Sequence, residues 1–120
     1  MKRAFLLTII AAMAAVSNAA ISADLQRGEL LFQTCSACHS VLGDGLGPDL
    51  HGIFGQKAAQ IAGFKYSDPL KASGLTWDEK TLRAFIADPQ AVVKGTLMAF
   101  PGYKADADLD ALIAYIKALQ

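Results

Sequence analysis

Residues 33–50 read QTCSACHSVLGDGLGPDL. Cys35 and Cys38 stand two residues apart, His39 follows directly, and a glycine-rich loop comes next. Three chemistries use such a cysteine pair. A single disulfide is the ordinary outcome in an exported domain. A redox-active dithiol needs the pair between a strand and a helix in a βαβ pattern, and no strand pattern precedes Cys35. Covalent attachment of a c-type haem is described in full by the spacing Cys-x-x-Cys-His: both thiols add to haem vinyl groups and His39 ligates the iron from beneath the ring. Neither sulfur is then free for a disulfide.

Upstream, Met1-Lys2-Arg3 is basic, Ala4 to Val16 is almost wholly apolar, and Ser17-Asn18-Ala19 offers the small residues that a signal peptidase accepts. The apolar run of about 13 residues falls short of the ~20 that a spanning helix needs. The expectation is a cleaved secretory signal over residues 1–23, with Ala19, Ala20 or Ala23 as its last residue, and one domain over residues 24–120 that does not span a membrane. Lys2 and Arg3 leave with the signal while all 11 acids follow it, so residues 24–120 hold nine basic side chains and a net charge of −2. That balance, without a long run of like charge, gives nucleic-acid binding no support. A chain so short buries little apolar surface for its entropy cost, and a bound cofactor would help it fold.

From Asp24 to Cys35, Leu25, Gly28, Leu31 and Phe32 recur at helical spacing. Gly28 costs helix propensity, which points to a second helix in close approach. Residues 40–65 carry Gly43, Gly45, Gly47, Pro48, Gly52, Gly55 and Gly63 and hold no sustained period. A loop that long in so small a domain implies something to wrap around. Thr76 and Glu79 have the spacing of a capping box, and the run with Leu82, Phe85 and Ile86 on one face stops at Pro89. After a second loop, Leu109, Leu112, Ile113, Ile116 and Leu119 share a helix face behind Asp106, Asp108 and Asp110. The expected fold is all-α, three to four short helices and long loops.

His39 fills only one axial position of a haem iron. The second ligand should come from the other side of the ring, and Met98 in KGTLMAFPG is the one methionine beyond the signal. A thioether is a soft donor that favours Fe(II) and raises the potential over bis-histidine ligation. His51, in PDLHGIFG, is the competitor, and a structural or surface role suits it better.

The pieces GELLFQTCSACHS, GLGPDLHGIFGQKA, GFKYSDPLKASGLTW, KGTLMAFPG and DLDALIAYIKAL, in that order, resemble a class I cytochrome c of the mitochondrial and alphaproteobacterial type. The resemblance implies a cytochrome c fold around one covalently bound haem c, with Cys35 and Cys38 as thioether links and His39 and Met98 as iron ligands. It implies that the Pro48 carbonyl accepts the His39 N–H and that Tyr66 and Trp77 hydrogen-bond a haem propionate. Thr96 then lies near that side of the site, Phe100 covers the haem edge, and Gly28 and Phe32 meet Leu112 and Tyr115 where the end helices cross. Three positions depart from the vertebrate mitochondrial pattern: Gln56 for an arginine near a propionate, Leu70 for an asparagine beside an internal water, and Phe85 for a tyrosine that reaches the methionine sulfur.

The expected protein is a soluble bacterial periplasmic electron carrier, a monomer and not an enzyme. Its donors would be a quinol-oxidising complex or a dehydrogenase, and its acceptors a terminal oxidase or reductase. The alternatives are a haem subunit dedicated to one periplasmic dehydrogenase and a ligand-binding or peroxidase-type haem protein.

Overall fold

The computed structural model describes residues 2–40 and 45–120, with side chains from residue 18 onward. Five helices are present among them: α1 (Lys2–Ser36), α2 (Asp68–Ala72), α3 (Glu79–Ala87), α4 (Pro89–Val92) and α5 (Asp106–Ala118). None of the described helices is long and apolar enough to cross a membrane. The expected helix from Asp24 to Cys35 is the C-terminal part of α1, which passes through the expected cleavage positions without a break. Gly43, one of the glycines of the 40–65 loop, lies outside the described residues.

Helices α1 and α5 cross at Gly28. A Cβ built there would stand 2.7 Å from Tyr115 Cβ and 2.9 Å from the Ala111 carbonyl carbon, far inside contact distance. Only a hydrogen at that position lets the two backbones meet. One turn on, the rings of Phe32 and Tyr115 pack with centroids 5.2 Å apart. Leu112 on α5 is fully buried, with Leu109, Ile113 and Ile116 buried beside it on the apolar face that the spacing predicts; Leu119, expected on the same face, is the half-buried C-cap beyond the helix end. Arg27 of α1 pairs with Asp108, and Arg83 of α3 pairs with Asp110 and, at 3.5 Å, with Asp106. The acids at the start of α5 therefore complement its dipole and also fasten it to both neighbouring helices.

Helix α3 begins differently from the sequence expectation. Its N-cap is Asp78, whose carboxylate accepts the Thr81 N–H at 2.8 Å. Thr76 is held extended in an antiparallel bridge with Lys57, flanked by Ala58 N–H to Leu75 O and Trp77 N–H to Gln56 O, both 2.8 Å. That tertiary pairing takes Thr76 out of capping geometry and passes the role two residues on. Glu79 turns outward to Lys117 of α5 at 2.5 Å. The helix stops at Ala87, and Asp88 then caps α4 by accepting from Ala91 N–H at 3.1 Å, with Pro89 in the first turn. Helices α2 and α4, of five and four residues, are too short for a periodicity to announce.

The loop 45–65 turns on glycines with positive φ, among them Gly52 (67°), Gly55 (82°) and Gly63 (81°), a region that side chains rarely adopt. It is anchored at three places: Gly52 N–H to Leu119 O, Gly55 N–H to Trp77 O, and Ile61 N–H to the Tyr66 hydroxyl. The loop thus stands as a wall facing α3 and α5.

Two outcomes test this packing. Gly28→Leu places a branched side chain against the α5 backbone and lowers stability by about 1–3 kcal/mol, read by denaturant titration; equal stability would remove the helix crossing. The Thr81 N–H bonded to Asp78 holds its carboxyl below the usual range. A depressed acid contributes stability that is complete above about pH 4 and lost as pH falls through the lowered native value. Asp78→Ala therefore lowers the melting temperature at pH 7, and its gap to the parent closes in acid. Asp78→Asn, which keeps an accepting oxygen without a titrating group, stays close to the parent at pH 7.

Candidate functional site

Cys35 occupies the last turn of α1, and the chain turns immediately beyond it. Both Cys38 N–H (3.1 Å) and His39 N–H (2.9 Å) donate to the Cys35 carbonyl, so the motif folds as a tight continuation of the helix end. The glycine-rich segment returns over this turn, with Gly47 N–H donating to Cys38 O at 2.9 Å. Next along, the His39 Nδ1–H donates to the Pro48 carbonyl at 2.7 Å. This bond fixes the ring and its tautomer and leaves the Nε2 lone pair free to bind a metal. Gly47 is needed for the same contact: a Cβ there would lie 2.5 Å from the imidazole Cε1 and 2.6 Å from Nδ1.

A cavity of about 580 Å³ opens in front of this ring, its wall mostly apolar. The nine residues Cys35, Cys38, His39, Pro48, Tyr66, Trp77, Thr96, Met98 and Phe100 all line it. Cys35 and His39 come from the end of α1 and the turn after it, Tyr66 from the wall before α2, and Met98 and Phe100 from the segment between α4 and α5. Met98 is partly buried and packed against the core. Its N–H donates to the Thr96 hydroxyl at 3.4 Å, and Thr96 is the buried polar residue of the molecule's described part. Beyond Met98, Phe100 stacks edge-on with Tyr103 at 5.3 Å, and the Tyr103 hydroxyl donates to the Leu31 carbonyl of α1 at 3.2 Å. Gly102 (φ 97°) lets this segment pass against the C-terminal end of α3, where a Cβ would stand 3.1 Å from the Ile86 carbonyl oxygen.

Trp77 packs edge-on against Phe85 with centroids 5.0 Å apart, and Tyr66 does so against Phe64 at 4.8 Å. Burial pushes the Tyr66 hydroxyl up, with the Ile61 backbone bond opposing it. Burial likewise pushes the Cys35 thiol up, helped by the neighbouring Cys38. A redox-active dithiol needs the opposite, a thiol whose pKa is lowered toward thiolate. Of the three departures, Leu70 and Phe85 line the cavity, but Gln56 does not. It is exposed, and its backbone is spent on Ile53 and Trp77. His51 also stands away from the cavity: it is exposed, its Nδ1 lies 2.6 Å from Asp49 Oδ1, and this contact holds the Asp49 carboxyl below its usual range.

The residues present fit a haem. The cavity volume lies in the range of cofactor sites, its lining is apolar with a few polar groups, and its donor set of an orientated imidazole and a thioether is one that haem iron accepts. The two thiols sit on the same rim as the imidazole, where a covalent link would hold the ring over it. Gly47 is the element of this site that sequence reasoning passed over. Its signal is a glycine directly before the proline whose carbonyl holds His39.

The family model described as cytochrome c matches residues 25–120. Cytochrome c2 iso-2 of Magnetospirillum fulvum is 53% identical over 90 residues, covering 73% of this chain and 94% of its own. Cytochrome c2 of Rhodoblastus acidophilus is 46% identical over 96 residues, covering 78% and 90%. Among solved structures, cytochrome cH from Methylobacterium extorquens superposes with a TM-score of 0.75 at 44% identity, over 78% of this chain and 97% of its own. Fold, cavity and relatives agree that the chain belongs to the class I c-type cytochromes, electron-transfer proteins rather than enzymes, which carry a covalently bound haem c and its iron.

Proposed function

We propose that this cytochrome is exported, cleaved after Ala19, Ala20 or Ala23, and works in the bacterial periplasm as a carrier of single electrons, with His39 and Met98 as the residues that would ligate the haem iron. The observation that carries this reading is the His39 Nδ1–H···O Pro48 bond across the cavity wall. It leaves one imidazole nitrogen for the metal, in a cavity that Met98 also lines. Cys35 and Cys38 form the two thioether links.

The bound haem supplies an iron that accepts and returns one electron. The protein's contribution is to keep its own groups in one arrangement through that change. Pro48 strengthens and orients His39, and the α1–α5 clasp holds the turn that carries it. With Met98 as the second ligand, no position would stay open for a small molecule, which counts against the peroxidase-type alternative. Apolar walls limit water near the metal, which keeps solvent rearrangement on electron transfer small.

Partners are redox proteins: a quinol-oxidising complex or dehydrogenase as donor, a terminal oxidase or reductase as acceptor. Leu46 and Leu97 line the cavity and are 87% and 78% exposed. They offer a partner an apolar contact beside the cofactor.

Mass spectrometry and ligand substitution test the reading. The mature protein keeps its colour through acid–acetone extraction and has a mass that places its first residue close to Asp24 and includes one haem; loss of colour overturns the thioether assignment. Met98→Ala keeps the haem but loses the red absorption band of sulfur-bound ferric iron, gains affinity for added ligands and shifts to a lower potential. An unchanged potential would mean that another group is the ligand.

A further inference from the structure

The loop that carries Met98 is held by a side chain whose role no motif announces. Gln90 lies in the first turn of α4, directly after Pro89. Its amide nitrogen donates to the Thr96 carbonyl at 2.8 Å, and its amide oxygen accepts the Gly95 N–H at 3.1 Å. One amide therefore closes on both sides of the Gly95–Thr96 peptide. The same short segment is a tight turn: Thr96 N–H donates to Val93 O at 3.0 Å, and Gly95 has φ 89°, as the third residue of a type II turn requires. Met98 N–H then rests on the Thr96 hydroxyl.

We propose that Gln90 is a positioning residue for Met98, an amide clamp that keeps the methionine loop closed over the cavity. This rests on the reading of Met98 as the axial ligand. The chemistry singles out glutamine. A carboxylate in its place accepts from Gly95 but faces the Thr96 carbonyl with a second acceptor; an ammonium or guanidinium donates to Thr96 but cannot accept from Gly95. An asparagine is one methylene shorter. The clamp's anchor is firm, because α4 starts on the fully buried Pro89 and is capped by Asp88. On the other side, Gly95 lies against Pro69 of α2, where a Cβ would stand 3.2 Å from the proline Cγ. The loop is thus pinned between two short helices, and Gln90 supplies the polar half of the pinning.

A loop that opens releases Met98, and an added ligand takes the vacated position. The clamp sets how often that happens. Gln90 is exposed, so water competes for its bonds and the effect is moderate in size.

The test uses the holoprotein, with imidazole as the competing ligand. Gln90→Met keeps the length and removes both bonds; Gln90→Glu at pH 7 removes the donor. In Gln90→Met imidazole binds the ferric protein about tenfold more tightly than it binds the parent, as two partly solvated hydrogen bonds allow, and the Gly95 amide exchanges its hydrogen faster; Gln90→Glu, which keeps the Gly95 bond and loses the Thr96 bond, shows a smaller gain in imidazole affinity. Lys117→Met, which removes the distant ion pair to Glu79, lowers the melting temperature yet leaves imidazole affinity and Gly95 exchange at parental values. The proposal is overturned if Gln90→Met matches the parent in both readouts, or if Lys117→Met changes them as much. Failure of the underlying ligand assignment shows separately, as a parent without the sulfur–iron band; Gly95 exchange still decides whether the clamp closes the loop.

Discussion

A domain of this length whose centre is a cavity of about 580 Å³ cannot be packed by its own side chains. That constraint explains most of the architecture. Trp77, Leu82, Phe85, Ile86 and Ile116 count among the buried residues, yet each also faces the cavity. The core is a shell, and the haem is the piece that gives the shell an interior. The long loops follow from it as well, since a segment without regular structure is stable here only where it covers an apolar partner.

Two kinds of contact keep the shell in shape. Close backbone approach is one: Gly28 against α5, Gly47 against the His39 ring and Gly102 against the end of α3 all require the absence of a side chain. Polar ties between segments are the other, including Tyr103 to Leu31, Gly52 to Leu119, and Gln90 to Gly95 N–H and Thr96 C=O. The first kind sets distances, and the second sets which loop faces which helix. The His39–Pro48 bond belongs to both, because it is short and joins the motif to the loop that covers it.

That these residues would meet at one cavity was legible in the sequence where they are consecutive or found by elimination: Cys35, Cys38 and His39 as one motif, Met98 as the methionine left beyond the expected signal. The crossing at Gly28 was legible because a glycine on an amphipathic helix face needs a reason. Asp78 was not, since Thr76 has the better local pattern and loses it only to a bridge with Lys57, a contact that no local reading contains. Helices α2 and α4 were hidden by their shortness. Gln90 carried no signal at all, because a polar residue after a proline looks like any turn. Gln56 shows the converse: position within a motif suggested a place at the site, and the backbone carries it to the surface instead.

The α1–α5 clasp also controls when the cavity is closed. Until residues 106–118 dock, the Gly28 face of α1 has no partner and the cavity lacks the wall that Ile116 provides. A chain in which α5 has not docked therefore presents Cys35 and Cys38 without the enclosure that partly buries Cys35 in the completed fold. Cys35 is more open before the last helix closes than after it, whereas Cys38 stays exposed in the folded chain. The clasp thus lets one sequence be an open substrate at Cys35 while unfolded and a more closed container once folded.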